Sequence, residues 1–495
     1  MKRFVLSCLV VIVMTTAAYA ADDPVVRAMK LYEKRHYEEA ATALSADLAS
    51  VEQSRQGAAH LALGMIYLKN AELYRHLYQE STAAAQDYLK KLSAGQGKGR
   101  SRFADLYMGE ALLEAGKLEA AIAYLEKFIA DESIDPRYRM VAKANLGLCY
   151  YLSSDDKQKA EAIWKGIDST DPEVIAELAS AFSRAGLKDK NPEALCDQSL
   201  DNVKKTGKSP SIRIVKNVIS VYARAGLTDK GLELLKRVDA KAYSHREVLG
   251  KSKVISFYEQ SLLGDLSTLY GQASTAHLEK AAADAAVKDP AEYSLGQAYA
   301  QFGNIDQSAR VTASFIAGSQ MPQQYKDRMR VWQAGNQYQK GRHTDALAAW
   351  DELSRKQPPE PDLLAETLFA CARVKADCPQ IVKRAETMVE AGGGKRVAQL
   401  NIAIGKYYLV KKNPAKALAY LEAGRDKSNK NKIESNDPLM LVDLAGLYYR
   451  GKKFSEALEI YFEMSKQFPA VRQIQEAMQG VYAMEQKSAG DVKIF

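Results

Sequence analysis

Glu33 stands three residues before His36, glycines crowd around Lys98, and Cys371 is followed at close range by Cys378. These are the places in the chain where residue type and spacing invite chemistry. On a helix, Glu33 and His36 would share a face and form half of a carboxylate-bridged metal site. Such a site needs a second copy of the motif on a facing helix, and the sequence holds none. The run Ser93 to Ser101 (SAGQGKGRS) resembles a phosphate cradle, but a P-loop requires glycine five residues before Gly97, and Leu92 occupies that place. No G-x-S-x-G, H-E-x-x-H or C-x-x-C-H string occurs. His76, four residues after Glu72, reads as an intrahelical pair. The expectation is a protein that is not an enzyme and holds neither metal nor cofactor.

Four cysteines follow Cys8: Cys149, Cys196, Cys371 and Cys378. A disulfide between Cys371 and Cys378 is open to two readings. If the helix stops near Lys375 and the chain folds back before Pro379, the two can meet; on a continuous helix they would lie ~10 Å apart, beyond bridging distance. Cys149, beside Tyr150, reads as a packed apolar residue.

The elements that carry these residues repeat. Leu63-Gly64 with Tyr67, Leu146-Gly147 with Tyr150, and Leu295-Gly296 with Tyr299 share the pattern Leu-Gly-x-x-Tyr. Relaxed copies occur at Met108-Gly109, Ala334-Gly335, Ile404-Gly405 and Leu444-Ala445. An alanine followed four residues later by a large apolar residue comes next, as Ala121 with Leu125, Ala160 with Trp164, Ala346 with Trp350, Ala417 with Leu421 and Ala457 with Tyr461. Between the two, Ala115-Gly116, Ala185-Gly186, Ala225-Gly226, Phe302-Gly303, Lys340-Gly341 and Arg450-Gly451 stand where a first helix must stop. The pattern resembles the paired helices of the tetratricopeptide repeat family, and the last copy matches it as far as Pro469.

The resemblance implies an all-α fold, a right-handed superhelical solenoid of antiparallel helix pairs, with roughly a dozen pairs at a spacing of ~34 to 45 residues. The chain divides by motif quality into residues 21–240, a degenerate stretch 241–290, repeats at 291–469, and a capping helix with tail at 470–495. Gly or Ala on a first helix is expected to face Ala on the second. Segment 58–92 reads as longer helices than a standard unit has, and Ser93 to Ser101, Leu187 to Pro192 and Gly424 to Pro438 read as solvated loops. In the family the concave groove, lined by first helices, takes a peptide. Counting from the small crossing residue puts Tyr293, Gln297, Trp332, Asn336, Gln339, Lys340, Lys406, Tyr449 and Arg450 in that groove, with Glu110 and Glu114 in an earlier unit. The family's carboxylate-gripping mode wants lysine where Trp332 and Ile402 stand, so it lacks support here.

At the N-terminus, Met1-Lys2-Arg3, an apolar run from Phe4 to Met14 and Ala18-Tyr19-Ala20 make a secretory signal, with cleavage between Ala20 and Ala21. The run is short for a spanning helix. Export implies a periplasmic protein with no transmembrane segment once the signal is gone. Removing Lys2 and Arg3 lowers the formal charge from +8 to +6, a mild excess suited to an anionic partner; nucleic acid is not expected. The sequence thus points to a non-catalytic scaffold of the bacterial cell envelope, holding a partner polypeptide in its groove and serving a secretion, pilus or exopolysaccharide export assembly. The alternative is a glycan-handling or peptidoglycan-associated protein that uses the superhelix as a platform. Oligomeric state is not readable from these features.

Overall fold

The computed structural model describes residues 23–93, 104–114, 116–153, 156–237, 255–356, 360–391, 397–425 and 437–467. The signal segment with Ala20 and Ala21, most of the Gly-rich run, the loop between Arg425 and Asp437 and the tail after Gln467 lie outside them. All regular elements among the described residues are helical. Beside short 3-10 turns at Leu48–Ser50, Gln53–Arg55 and Lys188–Lys190, the α-helices in chain order are α1 (Pro24–Glu33), α2 (Tyr37–Asp47), α3 (Gln56–Ser93), α4 (Ala104–Glu114), α5 (Leu118–Ala130), α6 (Pro136–Leu152), α7 (Lys157–Lys165), α8 (Pro172–Ala185), α9 (Pro192–Lys205), α10 (Ile212–Ala225) and α11 (Thr228–Arg237). After these come α12 (Ile255–Ala282), α13 (Lys288–Gln301), α14 (Ile305–Gly318), α15 (Gln323–Gln339), α16 (His343–Ser354), α17 (Pro361–Arg373), α18 (Pro379–Glu390), α19 (Val397–Val410), α20 (Pro414–Gly424), α21 (Pro438–Arg450) and α22 (Phe454–Gln467).

The chain divides into two compact units, one made of Met1–Leu73 with Ala273–Phe495 and the other of Tyr74–Gln272. The second unit contains the pairs α4/α5, α6/α7, α8/α9 and α10/α11, and the first helices α4, α6, α8 and α10 lie side by side. The first unit is built the same way from α1/α2, α13/α14, α15/α16, α17/α18, α19/α20 and α21/α22, with α13, α15, α17 and α19 as neighbours. The fold is an all-α repeat solenoid of antiparallel helix pairs.

Local chemistry explains where these helices start and stop. Asp23, Asp135, Asp171 and Asp437 each precede a proline at the first helical position, and each carboxylate accepts a backbone N–H of the first turn. Asp caps the exposed donors while proline, which has no N–H to lose there, pre-sets the backbone. At the other end, Gly186 takes φ +74° beyond α8, a conformation that costs a side-chain-bearing residue about 1 kcal/mol or more. The expected stop at Gly451 is displaced: Gly451 keeps φ −78° and the left-handed residue is Lys452, at φ +60°.

The crossing differs from expectation in several pairs. At Gly109, Gly147 and Gly405 the small residue of the first helix opposes the large side chain of the second rather than the alanine methyl, while Gly296 meets Met329 and Gly335 meets Arg373, both on a following first helix. A Cβ on Gly147 would collide with the Trp164 indole at Nε1, and one on Gly109 or Gly405 would strike Leu125 or Leu421. Trp164 and Trp350 both reach back to donate to a carbonyl of the first helix, Ala144 O and Val331 O, each at 3.0 Å. Burying an indole is favourable only if its N–H finds an acceptor, and the same geometry satisfies it twice.

One pair is closed by distant chain. In the first unit, Gly64 of α3 receives Leu278 of α12, and Ser274 Oγ donates to Gly64 O at 2.7 Å across 210 residues. The Leu-Gly-x-x-Tyr copy at Leu63 therefore finds its second helix far downstream, and α3 runs on for 38 residues.

The structure bridges Cys371 to Cys378, with Cα atoms 6.6 Å apart. The helix stops at Arg373 and Lys375 takes φ +57°, folding the chain back before Pro379. Cys149 and Cys196 are buried free thiols, and burial pushes the Cys149 thiol up to about 12, far from a reactive thiolate.

Candidate functional site

In the second unit the facing sides of the first helices carry a polar row. Arg213 Nη1 of α10 donates to Glu110 Oε1 of α4 at 2.7 Å and to Glu177 Oε2 of α8 at 2.8 Å. Asn145 of α6 donates to Glu177 at 3.1 Å, and Asn217 donates to the same carboxylate at 2.9 Å. All five side chains are buried. Burial pushes Glu110 up to about 7, against the pull of Arg213. Burial acts on Glu177 in the same direction, but Arg213, Lys216 and the Asn217 amide outweigh it and hold this carboxyl below its usual range. One guanidinium is thus shared by two carboxyls whose pKa values are shifted in opposite directions, a structural node rather than an open site.

The solvent-facing part begins one turn further along. Arg184 of α8 donates to Glu114 of α4 at 2.8 Å, and Lys216 Nζ lies 3.7 Å from the same carboxylate. Arg224 continues this row, and together with the buried Ser180 and Ser220 of the inner register, Asp265 and Thr268 of α12 and Tyr78 of α3 these residues line a cleft of about 210 Å³. Burial raises Asp265 to about 7, helped by Glu114 and opposed by Lys216, Arg224 and Arg184. The cleft presents three cations, two carboxyls, of which one is raised toward neutrality, and four hydroxyls. That set can bind a polar, charged group; nothing in it forms a nucleophile-base pair.

The residues expected in the groove of the first unit are placed unevenly. Tyr293 is buried, its ring 5.5 Å from Tyr325 and 5.8 Å from Phe315. Trp332 is buried too, donating to Glu366 at 2.8 Å beneath the Arg373 guanidinium, 4.2 Å from the ring. Gly335 leaves the space that Arg373 enters. Asn336 is buried and donates to Ser308 Oγ at 2.8 Å, between α15 and α14. These three side chains, expected in the groove, are buried between helices: Tyr293 against α14 and α15, Trp332 against α17 and Asn336 against α14. Gln297 is half-buried, as is Lys406, whose Nζ sits 3.5 Å from Asp443. Tyr449 is half-buried against Phe454, with ring centroids 5.8 Å apart. Gln339, Lys340 and Arg450 are exposed, and Lys340 pairs with Asp306 at 2.6 Å.

Glu110 and Glu114 fell within the sequence register, whereas Glu177, Arg184, Arg213, Lys216, Arg224 and Asp265 did not. Helices α8 and α10, marked in the sequence by their stop glycines alone, lack the Leu-Gly-x-x-Tyr string that sets the register. Counting back two from Gly116, Gly186 and Gly226 gives Glu114, Arg184 and Arg224; counting back six gives Glu110, Ser180 and Ser220. The stop was the better ruler.

Among the described residues no cluster of three or more His, Cys, Asp or Glu is placed to hold a metal, and no helix is long and apolar enough to cross a membrane. A family model described as a PPR repeat matches residues 214–241, which take in most of α10 and all of α11. No curated protein matches the chain. Among solved structures the chain is similar to yeast Tom70, at 12% identity over 94% of this chain and 95% of that one, with a TM-score of 0.33. It is also similar to the APC/C hetero-tetramer Cut9-Hcn1, at 13% identity over 96% and 99% with a TM-score of 0.28, and to the P58(IPK) TPR domain, at 14% identity over 79% and 99% with a TM-score of 0.19.

Proposed function

We propose that this protein is a non-catalytic interaction scaffold of the bacterial cell envelope, which binds a partner polypeptide along its first helices. One observation carries the reading: Glu114, Arg184 and Arg224 recur at a single register on α4, α8 and α10 and meet beside a solvent-open polar cleft. A surface that repeats at the helix spacing matches an extended ligand better than a compact one. The envelope assignment rests on the signal-like N-terminus, and service to a secretion, pilus or exopolysaccharide export assembly would follow from that location.

The test is in-cell photocrosslinking from position 339 in the first unit and position 224 in the second, with mass spectrometry of the captured species. Recovery of the same envelope protein from both positions supports the scaffold. Glycan fragments, with cleavage by the purified chain, would replace it with an enzymatic reading. Fractionation tests location separately: an unprocessed product in the cytosol overturns export.

A further inference from the structure

The cleft of the second unit has a chemistry that the repeat pattern does not require. Arg224 has no hydrogen bond or close ion pair among the described residues, and it projects from an exposed position at the end of α10. Arg184 and Lys216 are already partly neutralised by Glu114 between them. Across the cleft stands Asp265, whose carboxyl is half-buried yet makes no close ion pair with the described cations that face it.

We propose that this cleft seats a carboxylate, an acidic side chain of the bound polypeptide, gripped by Arg224 and Lys216 on one wall and sharing a proton with the Asp265 carboxyl on the other. The proposal rests on the scaffold reading and names the chemistry of its partner. Two carboxyls brought together cannot both stay ionised without a large cost, so the first retains a proton and donates it to the second. Asp265 is prepared for that role, since burial and Glu114 already raise it to about 7 against Lys216, Arg224 and Arg184. Ser220 supplies a hydroxyl donor for a remaining lone pair. At about 210 Å³ the space is smaller than the ~300 Å³ and upward of drug-sized ligand pockets, which favours one side chain over a whole cofactor. Binding takes up a proton, so the site grips more tightly as pH falls through the neutral range, with a limit of about tenfold per pH unit for one coupled proton.

Fluorescein-labelled decaglutamate, titrated into the full chain by anisotropy between about pH 8 and about pH 6, reads this out, because glutamates with an ordinary pKa of about 4.3 stay charged throughout. Affinity should rise several-fold toward the acid end. Arg224→Gln should weaken binding about tenfold at every pH, as loss of a charge-assisted contact does, with its melting temperature unchanged because Arg224 is exposed. Asp265→Asn, which keeps a donor but cannot titrate, should bind with no pH dependence. Decaglutamate that does not bind, or binds equally well to the Arg224 variant, overturns the site; pH dependence that survives in Asp265→Asn overturns the shared proton. Competition by free glutarate or galacturonate at equal carboxylate concentration would overturn the polypeptide as ligand. Capture of a partner at position 339 is independent of all these outcomes.

Discussion

Arg213 ties the second unit's first helices together, because its guanidinium is the shared counter-charge of two buried carboxyls on different helices. Replacing it with Met keeps the volume but strands Glu110 and Glu177 without it. A buried charge stripped of its partner typically costs about 3–5 kcal/mol, so Arg213→Met should lower the unfolding free energy of this unit by that order in urea titrations. The triple replacement with Glu110→Gln and Glu177→Gln should recover much of the loss, an outcome that a purely steric role for Arg213 would not give. The first unit holds a different residue-scale node. His60 Nδ1 and His277 Nδ1 lie 2.8 Å apart, so one ring must accept from the other and both cannot be protonated there. Burial, then His60 and Lys280, lower His277 from 6.5 to about 4, while burial and Lys280 lower His60. The unfolded chain therefore takes up protons first as pH falls. Stability is full above about pH 6.5, declines as pH drops toward 4, and levels off below it. Raised carboxyls such as Glu110 act with the opposite sign, so the difference between wild type and His277→Gln isolates the effect: the variant's melting temperature should fall less between neutral and acid pH.

Helix boundaries were legible because their causes are local. An Asp-Pro pair or a glycine after an amphipathic run dictates a start or a stop within one turn of chain, and α1, α6, α8 and α21 start as that chemistry requires. Which residue opposes the motif glycine was less legible, since both Ala121 and Leu125 lie on the inner face of α5 and only packing decides that Leu125 fills the gap. Groove membership was the least legible: the offset five after the small crossing residue leaves both Glu114 and Lys340 exposed, whereas the offset three before it buries Trp332, which Arg373 and Glu366 on the following first helix cover. At the displaced stop after α21, Lys452 is exposed and held at φ +60°, where glycine would relax. Lys452→Gly should stabilise the last pair by about 1 kcal/mol, read as a rise in melting temperature. Gly147→Ala works the other way: its new methyl meets the Trp164 indole, whose position is fixed by its bond to Ala144 O, and overpacking of this kind costs about 1–3 kcal/mol.

At the scale of the whole molecule, the first unit is assembled from the two ends of the chain. Its early helices meet its late ones through Leu278 against Gly64, Ser274 on the Gly64 carbonyl, His277 on His60, and Gln301 on Glu72 at 2.8 Å. Repeat proteins ordinarily fold from contacts between neighbours, but this joint must close a loop of about two hundred residues before its contacts repay the entropy. No periodicity in the sequence marks such a closure, because α3 and α12 each satisfy helical rules alone and only their mutual register shows that they are one pair. The consequence is testable by dissection. A fragment of residues 273–495 retains α13 to α22 but leaves the Leu278 face of α12 without the helix that covers it, so amides of residues 273–282 should exchange with solvent far faster than in the full chain, while those of α15 to α20 keep their protection. Adding a fragment of residues 23–73 in trans should restore slow exchange there and raise the melting temperature in a concentration-dependent way. Protection already complete in the 273–495 fragment would mean that the long-range joint contributes nothing to holding this end of the solenoid, and that α12 is ordered by α13 alone.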